Sequence, residues 1–179
     1  MKKISALLAV AAIATPFMAK ASDGTINFSG SLISTTCTVT NGGATALSVA
    51  LQQLATTSLD PATNAKTSGD QPFSLNISGC NAGLTTATTY FEADQTKVDQ
   101  ASGTLTNQDT GPANVAFELT NADKSHINLA STTQGVAAAQ IQAGGTATAN
   151  FYARYYRIDN NLPVAGPIKA SITYSMVYN

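Results

Sequence analysis

The carboxyl-terminal twelve residues place the strongest constraint on what this chain can fold into. Residues 168–179 read IKASITYSMVYN, with apolar side chains at the even positions and mostly polar ones at the odd positions. This period of two predicts a β-strand that buries one face. Because a single residue follows Tyr178, we expect the strand to keep an open edge. Open edges pair with further strands, so the pattern predicts a surface that receives one.

The amino-terminal residues have the composition of a secretory signal peptide. Lys2 and Lys3 precede a mostly apolar run over residues 4–17, and the segment 19–21 (Ala-Lys-Ala) supplies small residues for cleavage. The apolar run is shorter than the ~20 residues that span a bilayer, and an uncleaved anchor is the alternative interpretation. Cleavage after Ala21 removes 21 of the 179 residues and leaves 158, a length that suits one domain.

The expected mature chain carries little charge and is weakly acidic. Loss of Lys2, Lys3 and Lys20 leaves six basic against ten acidic residues, a net charge of about −4. Nucleic-acid binding requires clustered lysine and arginine, so this composition argues against such a partner. Threonine favours strands, whereas glycine and asparagine favour turns, and all three are frequent here.

Short alternating runs separated by turn residues extend through most of the chain. A strong turn signal, Asn-Gly-Gly, stands at 41–43, and loops are predicted at 57–71, 98–111 and 141–145. Strands are predicted at 25–32, 37–39, 46–51, 73–77, 90–93, 115–119, 127–129, 146–158 and 168–179. The sequence therefore predicts an all-β protein with the architecture of a sandwich.

The two cysteines, Cys37 and Cys80, indicate a structural disulfide. An even cysteine count in an exported chain favours a bond between them, and a loop of this length predicts about 4 kcal/mol of stabilisation. Their spacing differs from CxxC redox and zinc motifs, although a redox or metal role is the alternative interpretation.

The residues that most often carry catalysis occur without a catalytic pattern. His126 is the sole histidine in the sequence and lies in a polar stretch without a nucleophile motif. Glu92, Asp94 and Asp99 cluster in sequence, but glycoside hydrolysis requires two carboxyl groups placed across a cleft. We expect these side chains to lie in solvated loops. The sequence predicts no catalytic, metal or cofactor-binding residue and therefore no enzyme.

The segment 151–158, FYARYYRI, suggests a second kind of surface. Tyr152, Arg154 and Tyr156 share one face of the predicted strand. Tyrosine and arginine side chains bind sugars and proteins well, so a secreted glycan-binding module is an alternative function. The other interpretation is a sandwich strand with one apolar face and one amphipathic outer face.

Several motifs together resemble the pilin subunits of bacterial fimbriae assembled by the chaperone–usher pathway, particularly the type 1 class. The chain has the penultimate tyrosine, Tyr178, and a glycine fourteenth from its end, Gly166. The segment 73–80 has the form FxLxIxxC and ends at Cys80, and the segments 114–119 and 151–156 are similar to family sequences. An alternating segment before the first cysteine carries Ile26, Phe28, Gly30 and Leu32.

The resemblance implies an incomplete immunoglobulin-like β-sandwich that lacks its last strand and is completed by a donor strand. It implies a signal peptide at 1–21, a donor-strand extension at 22–33 and a pilin domain at 34–179. The implied donor residues are Ile26, Phe28, Gly30 and Leu32. The implied acceptor-groove and chaperone-binding residues are Gly166, Ile168, Ala170, Ile172, Tyr174, Met176 and Tyr178.

The resemblance also implies a function and a route. The leading interpretation is a structural subunit, the major shaft pilin, that polymerises with neighbouring pilin subunits and supports cell adhesion; the alternative is a minor adaptor subunit. Expected partners are a periplasmic chaperone, an outer-membrane usher and minor fimbrial subunits, with export through the periplasm to the cell surface and no cofactor. A closed monomer, in which residues 25–32 pair with the terminal strand of the same chain, remains the alternative to a polymer.

Overall fold

The computed structural model describes residues 37–40 and 46–179, all of which belong to the compact unit Ile33–Asn179. The predicted signal peptide, the donor segment with Ile26, Phe28, Gly30 and Leu32, and the turn at 41–43 lie outside the described residues. The domain boundaries therefore stay a prediction. The described residues contain no helix long and apolar enough to cross a membrane.

Within the described residues the chain forms nine strands and three single-turn 3₁₀ helices, and no α-helix. The 3₁₀ helices cover Thr56–Leu59, Pro61–Thr63 and Gln95–Lys97. The strands are β1 (Thr38–Thr40), β2 (Thr67–Ser78), β3 (Thr86–Glu92), β4 (Val98–Asp99), β5 (Thr104–Thr106), β6 (Val115–Asn121), β7 (Ala139–Gln140), β8 (Ala147–Arg157) and β9 (Thr173–Tyr178). The all-β prediction is confirmed.

The strands form two antiparallel sheets of unequal size. The larger sheet has six strands in the order β1-β2-β8-β6-β5-β4, and the smaller has three in the order β7-β3-β9. In the smaller sheet β3 is central and β9 lies at an edge. Because three strands face six, the smaller sheet covers the inner face of the larger one incompletely.

Aromatic side chains join the two sheets at the core. Phe151 of β8 lies opposite Phe73 of β2, and their ring centroids are 5.4 Å apart. Phe91 of β3 meets Phe151 edge to face, also at 5.4 Å. Ile127 and Leu129, in the connection between β6 and β7, are fully buried in the same core. This packing fixes the small sheet over one part of the large one.

The predicted disulfide between Cys37 and Cys80 is present. Cys37 directly precedes β1 and Cys80 follows β2, so the bond joins the ends of two paired strands. It lies beside a second buried cluster that includes Ile77, Ala87 and Ala147. The disulfide therefore supports the core at this end of β1 and β2.

Several predicted strands are confirmed, and others are wrong. The predictions at 37–39, 73–77, 90–93, 115–119 and 146–158 coincide with strands, and the terminal prediction at 168–179 is confirmed over Thr173–Tyr178; residues 46–51, 127–129 and 168–172 form no strand. Conversely, β4 and β5 lie within the predicted loop 98–111. Sequence periodicity reports which face is buried, but a strand also requires a hydrogen-bonded neighbour, which periodicity does not report.

A side chain closes the edge of β3 that faces away from β9. Gln134 is buried, and its Nε2 donates to the Phe91 carbonyl oxygen at 2.6 Å. Its Oε1 accepts from the Phe91 N–H at 2.9 Å. These are the two hydrogen bonds that a residue of a neighbouring strand would make. On this side of β3, β7 pairs with Thr86 and Ala87 and Gln134 occupies the position at Phe91, so β9 is left as the other edge of the small sheet.

Replacement of this glutamine tests the edge closure. In Gln134→Leu, a change of similar volume, both polar groups of Phe91 lose their partner in a buried site. We expect the free energy of unfolding to fall by about 2–4 kcal/mol, since each buried unsatisfied group costs about 1–3 kcal/mol. Urea denaturation measures it, with the exposed Gln140→Leu as the matched control. Equal loss in the two variants would contradict the assigned role.

Candidate functional site

An apolar groove of about 830 Å³ opens where the small sheet leaves the large sheet uncovered. Its floor is the inner face of the large sheet, whose strands point every second side chain toward the sandwich interior. The floor side chains come in pairs from three neighbouring strands: Phe73 and Leu75 of β2, Phe117 and Leu119 of β6, and Ala153 and Tyr155 of β8. The floor is therefore contiguous and largely apolar.

Two extended segments without strand pairing form the walls of the groove. The first, called wall C here, comprises residues 167–172 before β9; its Ile168, Ala170 and Ile172, together with Tyr174 at the start of β9, line one side of the groove. The second, called wall N here, follows the residues after β1 and contributes Ala46, Leu47, Val49 and Leu51. The larger side chains that line the groove keep the phase of the sequence alternation: Leu47, Val49 and Leu51 in wall N, and Ile168 and Ile172 in wall C.

Four of the seven predicted acceptor residues thus lie together at the groove, and three lie elsewhere. Met176 and Tyr178 lie in β9 on the same face as the groove residues but pack against the core and the cluster beside the disulfide. Gly166 is exposed and precedes wall C, where it passes close to Gly111. The role of all seven as acceptor residues stays a prediction.

The backbone of wall C directs two unpaired peptide groups, those of Ala170 and Ile172, at the groove. Thr86 and Asn179 exchange two hydrogen bonds, of 3.0 and 3.1 Å, and such pairs alternate along an antiparallel ladder. The peptide N–H and C=O groups of the odd-numbered residues of β9 therefore point to β3. Those of Lys169 point to the same side, where they bond to the loop after β5. The peptide groups of Ala170 and Ile172 point the other way, and no hydrogen bond joins them to another described residue.

Wall N also has a free backbone. Between residues 46 and 54 the described chain makes no backbone–backbone hydrogen bond. One side-chain bond fixes the segment, in which the Tyr155 hydroxyl donates to the Gln52 carbonyl oxygen at 3.1 Å. An extended chain laid between the walls would therefore find an apolar floor below it and unpaired peptide groups beside it. This is the arrangement that strand addition to a sheet edge requires.

The groove is electrically neutral, which limits what it can accept. None of its described lining side chains is charged. Burial raises the pKa of the Tyr155 phenol. The pKa of the Tyr178 phenol is also raised, mainly by burial and to a smaller extent by the nearby Tyr174. Both phenols are therefore neutral at physiological pH. Because burying a charge here would go uncompensated, the groove favours an uncharged, apolar strand.

The outer face of β8, considered above for glycan binding, is occupied by contacts within the chain. Arg154 Nε donates to Glu118 Oε2 at 2.7 Å, and this hydrogen bond raises the pKa of Arg154. The Lys124 ammonium lies over the Tyr152 ring, 2.9 Å from its centroid. The Tyr156 ring is likewise faced by a lysine ammonium, at 5.0 Å. These side chains already have partners, so the face offers no open aromatic platform.

Two of the residues considered for catalysis, His126 and Asp94, contact neighbouring side chains. His126 Nδ1 lies 2.8 Å from the other carboxylate oxygen of Glu118, within the network around Arg154. Asp94 accepts hydrogen bonds from Thr96, which lower the pKa of its carboxyl group. No group of three metal-ligating side chains occurs in the part of the chain that the structure describes.

The sandwich with an open apolar groove defines the class, and sequence comparison identifies the family. The family model described as "Fimbrial protein" matches residues 26–179. The chain is 33% identical over 173 residues to the major fimbrial subunit SMF-1 of Stenotrophomonas maltophilia, covering 93% of this chain and 98% of that relative. The chain belongs to the fimbrial protein family and is a fimbrial subunit.

Solved structures share the fold. The P pilus rod subunit PapA matches with a TM-score of 0.60 at 15% identity, over 80% of this chain and 99% of PapA. A chaperone–usher pilus structure matches with a TM-score of 0.60 at 16% identity, over 92% of this chain and 100% of that chain. The predicted incomplete immunoglobulin-like sandwich of the pilin class is confirmed.

Sequence reasoning missed two parts of the site. The alternation at 46–51 predicts an ordinary strand, whereas its apolar side chains Leu47, Val49 and Leu51 line the groove as wall N. The loop after β5 bonds to wall C, but nothing in its sequence, NQDTGP, indicates a partner some 60 residues away. The alternation at 46–51 could have indicated wall N, but no sequence pattern indicated the contact between the loop after β5 and wall C.

Proposed function

We propose that this chain is a structural subunit of a fimbrial shaft and polymerises by donor-strand exchange. The segment 22–33 of one copy would occupy the groove of the next and complete its sandwich. Donor-strand complementation of this kind is an established form of β-augmentation. The observation that carries the proposal is the groove itself, which combines an apolar floor with the unpaired edge at Ala170 and Ile172.

The donor segment is chemically matched to this groove. Ile26, Phe28 and Leu32 occur in phase, and each would contribute about 1.5–3 kcal/mol if fully buried. Gly30, in the same phase, lacks a side chain and permits a close backbone approach. No charge occurs between residues 25 and 32, in keeping with the neutral groove. Eight extended residues span about 26 Å, comparable with the length of wall C and the start of β9.

The same geometry supports the remaining steps of the route. An open apolar groove favours aggregation before assembly, so a periplasmic chaperone would bind it first. At the outer-membrane usher the donor segment of the next subunit would then replace the chaperone. The amino-terminal signal supports export through the periplasm to a surface fimbrium. The shaft role is supported by the relative named as a major fimbrial subunit; a minor adaptor is the alternative.

Deletion of residues 22–32 tests the donor role. The deleted chain keeps every described residue, including the whole groove, but has no strand to donate. We expect it to accumulate with the chaperone and to form no SDS-resistant multimers on unheated gels, whereas the full chain forms a ladder and filaments. Unaltered fibres from the deleted chain would exclude donor-strand exchange. A full chain that stays monomeric would favour the closed monomer.

A further inference from the structure

Wall C is extended although it belongs to no strand, because the loop between β5 and β6 holds it. The Gln108 N–H donates to the Lys169 carbonyl oxygen at 2.7 Å, and the Lys169 N–H donates to Asn107 Oδ1 at 3.0 Å. Further along, Ser171 Oγ and the Gln108 side-chain oxygen lie 3.4 Å apart. The loop thus bonds to the odd-numbered residues of wall C, on the side away from its open edge.

The side chain of Asn107 is central to this support because all four of its hydrogen-bonding positions are used. Its Nδ2 donates to the Pro112 carbonyl oxygen at 3.3 Å and to the Pro167 carbonyl oxygen at 3.2 Å. Its Oδ1 accepts from the N–H groups of Lys169 and Asp109, both at 3.0 Å. A primary amide has two donors and two acceptor lone pairs, so the side chain is fully satisfied. It joins two points of the loop to two points of wall C.

Two glycines allow the loop and wall C to approach this closely. A Cβ atom on Gly111 would overlap the Pro167 carbonyl oxygen, and one on Gly166 would lie 2.9 Å from Gly111 Cα. Neither glycine has the positive φ that requires glycine for conformational reasons. The absence of a side chain is therefore needed for the contact between the two backbones. This also gives a physical reason for glycine at position 166.

We propose that Asn107 and Gly111 are positioning residues for strand acceptance. They hold wall C extended before a donor arrives, with the peptide groups of Ala170 and Ile172 directed at the site of the donor. A binding edge that is already ordered loses less conformational freedom on association. The inference rests on the proposed donor-strand function. It attributes part of the rate of polymerisation to the loop between β5 and β6, which lies outside the groove.

The test compares polymerisation rates of full chains released from the chaperone. In Asn107→Ala and Gly111→Ala, SDS-resistant multimers should form about tenfold more slowly than in the unchanged chain, because the edge must first become ordered. Asn160→Ala and Gly144→Ala are the matched controls: residue 160 is exposed, and a Cβ on Gly144 meets nothing within 4 Å. Both controls should polymerise at the unchanged rate.

Amide hydrogen exchange separates positioning from general stability. In Asn107→Ala the Lys169 amide should exchange faster, whereas the Thr86 and Asn179 amides, which join β3 to β9, should keep their protection. Equal polymerisation rates, or an equal loss of protection at all three amides, would overturn the inference. If the unchanged chain forms no multimers, the proposed function fails instead. Should Gly111→Ala not fold, Asn107→Ala alone decides.

Discussion

A chain carrying Ile172→Asp is expected to form no fimbriae. Ile172 lines the groove, and its peptide group lies at the unpaired edge. A donor strand would have to bury the new carboxylate against an apolar floor that holds no cation, and an uncompensated buried charge costs several kcal/mol. Unheated gels and electron microscopy measure the result, as loss of the multimer ladder and of filaments.

A matched change on the other face of the same terminal segment controls for charge and for strand propensity. Val177 lies in β9 with half of its surface exposed and does not line the groove. Val177→Asp introduces the same side chain five residues further along and should leave polymerisation intact. If both variants lose fimbriae equally, or if Ile172→Asp assembles normally, the groove is not the assembly site.

Removal of the disulfide should have the largest effect on stability. In the double variant Cys37→Ser/Cys80→Ser the unfolded chain regains the freedom of a loop whose ends are 43 residues apart. The chain-entropy relation predicts a loss of about 4 kcal/mol in the free energy of unfolding. Because domains of this size are stable by about 5–15 kcal/mol, we expect poor accumulation after export. Urea denaturation of the purified chain measures the change.

Chemical reduction of the unchanged chain provides the control for this variant. Dithiothreitol should lower the denaturation midpoint by a similar amount and should have no effect on the double variant. The same midpoint in the oxidised, reduced and serine forms would show that the bond contributes no stability. A midpoint far lower in the serine variant than in the reduced chain would assign the loss to packing around Ile77 and Ala147 instead.

In the proposed polymer each contact joins two different surfaces, a donor segment on one subunit and an acceptor groove on the next. Because the two surfaces differ, the contact can repeat from subunit to subunit without limit. In the proposed assembly the donor is the segment 22–33, and the acceptor is the groove between wall N and wall C. A contact between two different surfaces repeats from copy to copy unless the rotation closes a ring. Closure of the far edge of β3 by Gln134 is consistent with this, since it leaves the groove side as the edge for strand addition.

The sequence by itself determined the class of fold and the buried face of each extended segment. Alternation at Phe73–Ile77 and Val115–Leu119 predicted the floor strands, and alternation from Ile168 placed Ala170 and Ile172 on the inward side. The presence of two cysteines in an exported chain predicted the disulfide between them. These are local properties, because side chains of an extended chain alternate between two faces whatever lies beside them.

The tertiary structure decided which edges have partners. Residues 46–51 and 168–172 have the periodicity of strands, yet no neighbour bonds to their groove-side edge, and they become walls instead. The support of wall C by Asn107 and the capture of Arg154 by Glu118 depend on residues far apart in sequence. Hydrogen-bond partners in a sheet are set by register and topology, which a single sequence does not encode in any local pattern. The last twelve residues therefore predicted an open edge. Only the folded chain shows where this edge lies, that the loop with Asn107 supports it, and that the floor beside it is uncharged.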